Sequence, residues 1–322
     1  MRLKKNLNAI RVLEAGPLAT IQDRGRYGYQ DRGVPVSGAM DRHALRIANL
    51  LVGNREEEAC IEITLGSFRV EFLRATRFAL TGADQAPRLN GQLIANWKCR
   101  FAEAGDVLAL DFAHSGFRSY LAIEGGVDVP PVMGSRSTYL RGGFGGYEGR
   151  QLQKGDILRC GREQGTPIHE LPGGLIPRYT DEPVLRVVLG PQDDYITPEG
   201  ITAFLSESYE TTVRMDRMGC SLNGPPIAHA KGPDIISDGI VAGAVQVPGS
   251  KQPLILMADA QTIGGYVKIA TIASFDLPLV AQLQPGCRVR FKAMSLLEAR
   301  EIYLRQEYRM RNIQKKLSSK QT

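Results

Sequence analysis

Short apolar runs separated by glycine and proline recur along most of the chain. Seven of them have the length and the β-branched or aromatic content of strands. They cover residues 68–72, 77–81, 107–110, 120–123, 184–189, 253–257 and 288–291. Strands this short, at this spacing, are typical of barrels and sandwiches. The pattern therefore predicts a mainly β fold with a few helices.

Helical periodicity is confined to three segments. Residues 39–52 carry apolar positions on one helical face and are followed by a glycine stop. Residues 197–205 begin with the Thr-Pro pair that is typical of an N-cap and first helical position. Residues 295–298 have the capping-box pattern of a longer helix that leads into the C-terminal tail.

The chain is long enough for one large or two ordinary domains. We expect an N-terminal β-rich half over residues 10–115, a C-terminal half over residues 116–295, and a basic helix or tail over residues 296–322. The seam lies either near residues 113–118 or in the Pro/Gly-rich stretch 161–183, and the sequence leaves both positions open.

The net charge of +6 is carried by the two ends of the chain. Residues 300–322 hold seven Lys/Arg and two acids, residues 1–11 hold four Lys/Arg, and the part between them has a net charge of −3. Proteins that bind nucleic acids usually carry a basic stripe on the folded face. The distribution therefore predicts no nucleic-acid partner.

The five scattered cysteines form no CxxC pair, which is typical of reduced thiols and not of a disulfide framework or a structural zinc site. No apolar run approaches the ~20 residues that a membrane helix needs, and no long apolar segment follows the basic N-terminus. We expect a cytoplasmic protein with no metal site and no membrane partner. The glycine-rich run 142–146 lacks the signals of a P-loop and is expected to be a tight turn.

The first candidate residues lie before and just within the first predicted helix. Gln22, Asp23 and Arg26 belong to one polar loop. Arg26 either pairs with Asp23 or presents its guanidinium to a carboxylate or phosphate. Ser37 and Asp41 either only cap the helix, or lie where its N-terminus binds an anion.

Two further loops combine arginine with other polar groups. Arg136 and Ser137 lie in the hydroxyl-rich segment 134–138, which is either a polar turn or a site for a carboxylate or oxyanion. Asp216 and Arg217 begin the sequence DRMG, where they form either an ion pair in a bend or part of a site.

The densest polar segment, residues 259–268, follows the apolar run 253–257. Polar groups at the end of a buried strand commonly line a pocket. Asp259 is a candidate general base or cation ligand, and Lys268 is a candidate partner for an anion. The other candidates in this part of the chain are Gln246, Gln261, Thr262 and Tyr266.

A series of sequence blocks extends from about residue 10 to residue 295. Residues 33–41 read GVPVSGAMD. Further blocks follow in order at 48–54, 62–66, 80–84, 125–130, 134–138, 190–192, 216–219, 235–239 and 259–266. Together they resemble the KipA family, also called allophanate hydrolase subunit 2 or the C subunit of 5-oxoprolinase.

This resemblance implies a fold built around cyclophilin-like β-barrels, with two barrel-like halves, related to the carboxyltransferase domain (subdomains A and B) of urea carboxylase. It implies a heteromeric complex with a KipI-type protein, which is the B subunit of 5-oxoprolinase, and a LamB/YcsF-type protein, which is its A subunit. The complex would be an ATP-dependent 5-oxoprolinase that opens the lactam of pyroglutamate to give glutamate. ATP with Mg²⁺ would bind to the complex or to this chain, which would be inactive alone.

Phosphorylation of the amide oxygen, followed by attack of water, needs cations and N–H donors for phosphate and oxyanion. In this scheme the catalytic residues are Arg217, Asp259, Gln261 and Lys268. Substrate or phosphate would be bound by Gln22, Asp23, Arg26, Ser37, Asp41, Arg136, Ser137, Asp216, Gln246, Thr262 and Tyr266. No residue is expected to bind a metal.

Two other functions fit the same resemblance. One is an allophanate hydrolase or urea carboxylase type of carboxyltransferase subunit that acts with a separate biotinylated chain, because this sequence lacks the Met-Lys-Met attachment motif. The other is a non-catalytic antagonist of a KipI-type protein, which would tolerate alanine at Arg217, Asp259 and Gln261.

The sequence departs from the family pattern around two of its blocks. Residues 261–268 read QTIGGYVK where the family pattern is QTTGGYPK. Ile263 lacks the hydroxyl, and Val267 replaces the proline, so we expect a less rigid loop here. Met215 and Cys220 also depart from the residues that usually flank the DRMG block. These changes leave the exact amide substrate open.

Overall fold

The computed structural model describes residues 8–161 and 169–318, and the chain divides into two units. The first unit groups Met1–Arg26, Ser37–Arg178 and Asn312–Thr322, and the second groups Tyr27–Val36 and Tyr179–Arg311.

The first unit is built from two antiparallel sheets. Its strands are β1 (Asn8–Glu14), β2 (Leu18–Gln22), β3 (Cys60–Thr64), β4 (Phe68–Phe72), β5 (Thr76–Asp84), β6 (Arg88–Leu89), β7 (Gln92–Leu93), β8 (Cys99–Ala102), β9 (Val107–Leu110), β10 (Ser115–Ile123) and β11 (Ile157–Arg159). The six-stranded sheet has the order β11-β1-β4-β9-β6-β7, and the five-stranded sheet has the order β2-β3-β10-β5-β8.

One apolar core joins the two sheets of the first unit. In β4 the side chains of Phe68, Val70 and Phe72 are buried, whereas Arg69 is exposed, because successive side chains of a strand point to opposite faces. Phe72 packs against Phe78 of β5, with ring centroids 4.9 Å apart. The period-two pattern of the sequence thus determines which face of each strand enters the core.

Helix α1 (Arg42–Leu51) packs on β5 and β10 of the five-stranded sheet. The Thr81 hydroxyl donates a hydrogen bond of 2.8 Å to the Ala44 carbonyl. The Asp41 carboxylate accepts a 2.9 Å bond from the Ala44 N–H, as an N-cap does. The predicted helix over residues 39–52 is confirmed, with its first turn fixed by Asp41.

The second unit contains a closed seven-stranded barrel with the order β12-β19-β16-β17-β14-β13-β20. These strands are β12 (Val184–Leu189), β13 (Tyr209–Met215), β14 (Gly219–Asn223), β16 (Ala244–Gln246), β17 (Leu254–Leu256), β19 (Lys268–Ile272) and β20 (Arg288–Ala293). The ring closes through parallel pairing of β12 with β20. Strands β15 (Asp234–Gly239) and β18 (Ile263–Tyr266) form a separate two-stranded ribbon.

The remaining helices are α2 (Pro198–Ser206), α3 (Leu277–Ala281) and α4 (Leu296–Ser318). Thr197 caps α2, accepting a 3.1 Å bond from the Gly200 N–H. Ser295 and Glu298 form reciprocal bonds of 2.8 and 3.2 Å between side chain and backbone. The capping signals for α2 and α4 are therefore confirmed, whereas α3 was not predicted. Short 3₁₀ turns occur at Gln30–Arg32, Gly173–Leu175 and Asp193–Tyr195.

The mainly β composition with few helices agrees with the sequence pattern, but the expectation of two barrel-like halves needs a correction. Within the described residues, one sheet closes into a barrel, and it belongs to the second unit. Each sheet of the first unit is open and has two edge strands. These are β11 and β7 in the six-stranded sheet, and β2 and β8 in the five-stranded sheet. The two sheets bury their apolar faces in one shared core, which gives a two-sheet arrangement in place of a second closed barrel.

The main division of the chain also differs from the expected halves, residues 10–115 and 116–295. It falls at 178/179, inside the stretch 161–183 that was the other possible seam. A seam at 115/116 would separate β10 from its sheet neighbours β3 and β5, which both precede it in sequence. Strand pairing therefore keeps residues on both sides of position 115 in one unit.

All five cysteines are free and buried. Burial raises the pKa of the Cys99 thiol to about 11 and that of Cys160 to about 12. These thiols are therefore protonated at neutral pH and poorly nucleophilic. In the described segments, no helix has both the length and the apolar character needed to cross a bilayer.

Truncating the aromatic packing beneath α2 is expected to destabilise the second unit. Phe204 of α2 is fully buried and stacks on Phe291 of β20, with ring centroids 4.3 Å apart. Phe204→Ala should lower the free energy of unfolding by about 3–5 kcal/mol, because it leaves a cavity. Val213→Ala, at a side chain that is 83% exposed, should change it by less than about 0.5 kcal/mol. Chemical denaturation measures both, and similar losses would contradict the packing argument.

Candidate functional site

The residues singled out from the sequence fall into two groups, one in each unit. The first unit contains Gln22, Asp23, Arg26, Ser37, Asp41, Arg136 and Ser137. The second unit contains Asp216, Arg217, Gln246, Asp259, Gln261, Thr262, Tyr266 and Lys268. Each group forms its own set of contacts.

Asp23 follows the last residue of β2 and is the centre of the first group. Its carboxylate accepts hydrogen bonds from Ser135 Oγ (2.7 Å), Ser137 Oγ (2.6 Å), Gly25 N (2.7 Å) and Arg136 N (2.5 Å). A carboxylate surrounded by donors is well satisfied when ionised. Asp23 therefore links the hydroxyl-rich loop, residues 134–138, to the end of β2. Its carboxylate already accepts four hydrogen bonds, so it is not placed as a general base.

The guanidinium of Arg26 is buried against the same loop, with 1% of the residue exposed. Its Nη2 donates to the Ser137 carbonyl, and its Cζ lies 5.0 Å from the centre of the Phe144 ring. A Cβ at Gly145, where φ is +72°, would lie 2.1 Å from the Ser137 oxygen. The glycine-rich run is thus a tight turn, as predicted, and glycine lets it approach Ser137 and Arg26 closely.

Arg136 and Gln22 contact backbone groups of the first unit. Arg136 Nε donates to the Val129 carbonyl at 3.0 Å, and its Nη1 lies 3.8 Å from Glu58 Oε2. Gln22 Nε2 donates to the Thr138 carbonyl at 3.2 Å. These contacts hold the Arg136 guanidinium and the Gln22 amide nitrogen, whereas Gln22 Oε1 has no hydrogen-bond partner among the described residues.

A buried chain of hydrogen bonds holds the start of α1. The Tyr120 hydroxyl accepts from the Asp41 N–H and donates to Glu62 Oε2, both at 2.7 Å. Glu62 also accepts from the Met40 N–H at 2.8 Å. Burial, with the Glu62 charge as a smaller cause, holds the pKa of Tyr120 well above its usual value. Asp41 is thus the cap, while the buried Ser37 Oγ has no hydrogen-bond partner in the part of the chain that the structure describes.

Glu62 and Tyr120 were not among the site residues predicted from the sequence. Glu62 stands in one of the matched blocks, residues 62–66, and an acidic residue inside the apolar strand β3 was the available signal. Tyr120 gave no such signal, because a tyrosine in a strand is ordinary.

In the second unit, Arg217 and Asp259 form a buried bidentate ion pair. Arg217 Nε lies 2.8 Å from Asp259 Oδ2, and Nη2 lies 3.1 Å from Oδ1. Each residue is 4% exposed. Asp216, the other possible partner of Arg217, instead accepts bonds from the N–H groups of Met218 and Gly219 at 2.7 and 3.1 Å. Both carboxylate oxygens of Asp259 are used by Arg217, so the pair mainly positions two loops.

A cleft of about 430 Å³ opens beside these loops. Asp216 and Gln261 contribute to its wall, together with the polar residues Arg214 and Ser221. The rest of the lining is largely apolar and comes from β13, β14 and β17 and from Met218 in the loop between β13 and β14. Gln261, a candidate from the densest polar segment, is therefore placed at a concave surface large enough for a small molecule.

Lys268, at the start of β19, is 4% exposed and is bound to the ribbon strand β15. Its Nζ lies 2.5 Å from Asp238 Oδ2 and 2.9 Å from the Gly239 carbonyl. The hydrogen bond from Lys268 holds the pKa of Asp238 below its usual value, with the Gly239 N–H as a further cause. Gln192 Nε2 also reaches Asp238, at 3.3 Å. Asp238 and Gln192 lie in sequence blocks that resemble the family pattern. Neither lies in a dense polar segment, so neither was predicted as a site residue.

Gln246, the last residue of β16, is 1% exposed, and neither Nε2 nor Oε1 has a hydrogen-bond partner among the described residues. Along the barrel it lies opposite Lys268 of β19 and Leu254 of β17. A Cβ at Gly264 would lie 2.8 Å from Gln246 Nε2. Leaving a buried polar atom unpaired costs about 1–3 kcal/mol, so this amide has hydrogen-bonding capacity that a ligand would satisfy.

The two residues of segment 261–268 that depart from the family pattern are Ile263, in ribbon strand β18, and Val267, which directly follows that strand. The Val267 N–H donates a 3.0 Å bond to the Pro233 carbonyl, and Val247 N donates to the Val267 carbonyl at 2.9 Å. Proline at 267 could not make the first of these bonds. The loss of rigidity expected from valine in place of proline is therefore offset by the hydrogen bond of the Val267 N–H. Ile263 is 62% exposed, and Tyr266 is 43% exposed.

Thr262 makes a backbone contact at the same ribbon, where its carbonyl accepts a 2.9 Å bond from the Ile240 N–H. Within residues 8–161 and 169–318, no group of three or more His, Cys, Asp and Glu is arranged to hold a metal ion.

The buried ion pair gives a stability prediction. Asp259→Ala should lower the free energy of unfolding by about 3–5 kcal/mol, because the Arg217 charge stays buried without its partner. The double variant Arg217→Met with Asp259→Leu should lose much less, because no buried charge remains. Urea denaturation measures both.

The matched control is Asp194→Ala, which removes the exposed pair with Lys231 and should cost less than about 1 kcal/mol. A double variant as unstable as Asp259→Ala alone would show that the loss of stability does not come from an unpaired buried charge.

Residues 32–293 match the family described as the carboxyltransferase domain, subdomain A and B. The C subunit of the 5-oxoprolinase of Escherichia coli (strain K12) is 40% identical over 291 residues, which cover 90% of this chain and 93% of that protein. The C subunit of the 5-oxoprolinase of Haemophilus influenzae is 37% identical over 306 residues, which cover 92% and 97%.

The fold is also similar to that of a much larger solved protein. The crystal structure of the K. lactis urea amidolyase superposes with a TM-score of 0.90 at 31% identity, covering 97% of this chain. The chain spans 20% of the length of that protein. On these matches, the chain belongs to the carboxyltransferase domain, subdomain A and B, family.

Proposed function

We propose that this chain is one component of an ATP-dependent 5-oxoprolinase, which opens the lactam of 5-oxoproline to give glutamate. The observation that carries the proposal is its similarity to two bacterial 5-oxoprolinase C subunits over nearly the full length of those proteins.

The proposed assembly contains two further proteins, since an enzyme with a C subunit implies A and B subunits as well. We expect a KipI-type protein in the B position and a LamB/YcsF-type protein in the A position. The substrate is a small-molecule amide, and ATP acts with Mg²⁺. The closed barrel supports a cyclophilin-like architecture for the second unit.

The four cationic residues among the predicted site residues do not form a ready triphosphate site. Each one already has a partner: Ser137 O for Arg26, Val129 O for Arg136, Asp259 for Arg217 and Asp238 for Lys268. We therefore propose that ATP binds mainly to a partner protein of the assembly. This chain would supply the amide-binding surface, formed by the cleft at Gln261 and the groups around Lys268 and Gln246.

A carboxyltransferase acting on a urea-type substrate is the second candidate function. It is favoured by the close superposition on the urea amidolyase structure. The third candidate, a non-catalytic antagonist of a KipI-type protein, requires no substrate. The two enzymatic functions differ from it in requiring a defined amide pocket.

Phosphate release with 5-oxoproline and ATP is the direct test. We expect little turnover from this chain alone and 5-oxoproline-dependent release from the chain assembled with its partner proteins. Lys268→Met keeps the aliphatic stem but removes the ammonium, and should reduce turnover by at least about tenfold in an intact complex. Lys292→Ala, at an exposed position on β20, is the control.

Failure of the complete assembly to release phosphate with 5-oxoproline would contradict the proposed function. Turnover of urea by that assembly with a biotinylated partner would then establish the carboxyltransferase alternative. Inactivity with both substrates, combined with tight binding of the KipI-type protein, would favour the antagonist.

A further inference from the structure

The unpaired amide of Gln246 stands apart from the other polar groups of the barrel. Lys268, Asp238 and Gln192 bind one another, and Arg217 binds Asp259. Gln246 lies beside the first of these networks, since its register partner on β19 is Lys268. Its carboxamide nevertheless has both a donor and an acceptor without a partner in the described structure.

A glycine allows the ribbon to lie directly against this amide. The Gln246 Nε2 lies so close to Gly264 of β18 that a Cβ there would come within 2.8 Å of it. The same Cβ would lie 3.2 Å from the Ile240 side chain. The backbone of Gly264 therefore covers the amide, and glycine within a strand is common where a ligand or another backbone approaches closely.

A carboxamide recognises a particular shape of partner. Its oxygen and the N–H on the same side form one edge, with one acceptor next to one donor. A lactam has the same edge, because its ring holds the N–H on the side of the carbonyl. Open-chain secondary amides are trans and carry the two groups on opposite sides. The pairing thus selects cyclic amides, primary amides and ureas over peptide bonds.

We propose that Gln246 is the specificity residue for the lactam: Nε2–H donates to the lactam oxygen, and Oε1 accepts from the lactam N–H. This inference rests on the proposed 5-oxoprolinase function. Urea has the same adjacent carbonyl and N–H groups. Gln246 would therefore suit both 5-oxoproline and urea, which appear in the names of the similar 5-oxoprolinase subunits and urea amidolyases.

Entry to this site requires movement of the β15–β18 ribbon, because Gln246 is 1% exposed. The ribbon is suited to such movement. It has two strands, its residue Ile236 is 95% exposed, and an isolated pair of strands is only marginally stable. The bond between Asp238 and Lys268 joins it to the barrel.

The test compares binding of 5-oxoproline with binding of its lactone analogue, in which a ring oxygen replaces the N–H. Equilibrium binding to the complete assembly is measured without ATP. The wild type should prefer the lactam by about tenfold or more, because the lactone leaves Oε1 unpaired. Gln246→Met, which has similar length and no amide, should bring this ratio close to one and raise KM for 5-oxoproline about 10- to 100-fold.

Two more variants separate recognition from folding. Gly264→Ala places a methyl group beside Nε2, a movable end of the side chain, and should also reduce the preference for the lactam. Gln85→Met is the matched control, because Gln85 is as buried as Gln246 and neither of its amide atoms has a partner among the described residues, but it lies in the first unit. It should leave the binding ratio unchanged.

An unchanged ratio in Gln246→Met, in an assembly that still turns over 5-oxoproline, overturns this inference and leaves the proposed function intact. An equal loss of preference in Gln85→Met also overturns it. If the wild-type assembly neither binds nor turns over 5-oxoproline, the proposed function fails. Binding of urea and 2-imidazolidinone is then measured in the wild type and in Gln246→Met. Weaker binding of both compounds to the variant supports recognition of the adjacent carbonyl and N–H by Gln246, and unchanged binding refutes it.

Discussion

The parallel pairing of β12 with β20 is the constraint on which the second unit depends. Without it, the seven strands would form an open sheet with two unpaired edges. Closure satisfies those edges and fixes the order of the strands between them. Within this ring β16 pairs directly with β19, which places Gln246 opposite Lys268. Closure then holds both strands between paired neighbours.

Both units bury charge by matching it closely. Asp23 is surrounded by hydroxyl and N–H donors, Arg217 is paired with Asp259, and Lys268 with Asp238. Each network joins segments that are distant in sequence. Among the barrel residues that the structure describes, Gln246 keeps both polar atoms of its amide without a hydrogen-bond partner. In the proposed site, barrel strands β16 and β19 hold this amide in place, and the β15–β18 ribbon is the part that moves to admit a small neutral group.

Local patterns in the sequence predicted the elements that local chemistry decides. Helices α1, α2 and α4 begin where capping residues stand, because a cap acts within three residues of itself. The choice of partners could not be predicted. Arg217 bypasses its neighbour Asp216 for Asp259, and Lys268 reaches Asp238, since strand order brings those groups together. The extent of the first unit was missed for the same reason, because β10 pairs with strands far back in the chain.

The bidentate pair between Arg217 and Asp259 also limits how this protein can evolve. Loss of either partner leaves a buried charge, so a single substitution at one position passes through a destabilised protein. Exchange of the pair for uncharged residues avoids that state only when both positions change together. The two sites should therefore vary in concert among descendants of this chain, and each is a poor place for neutral drift.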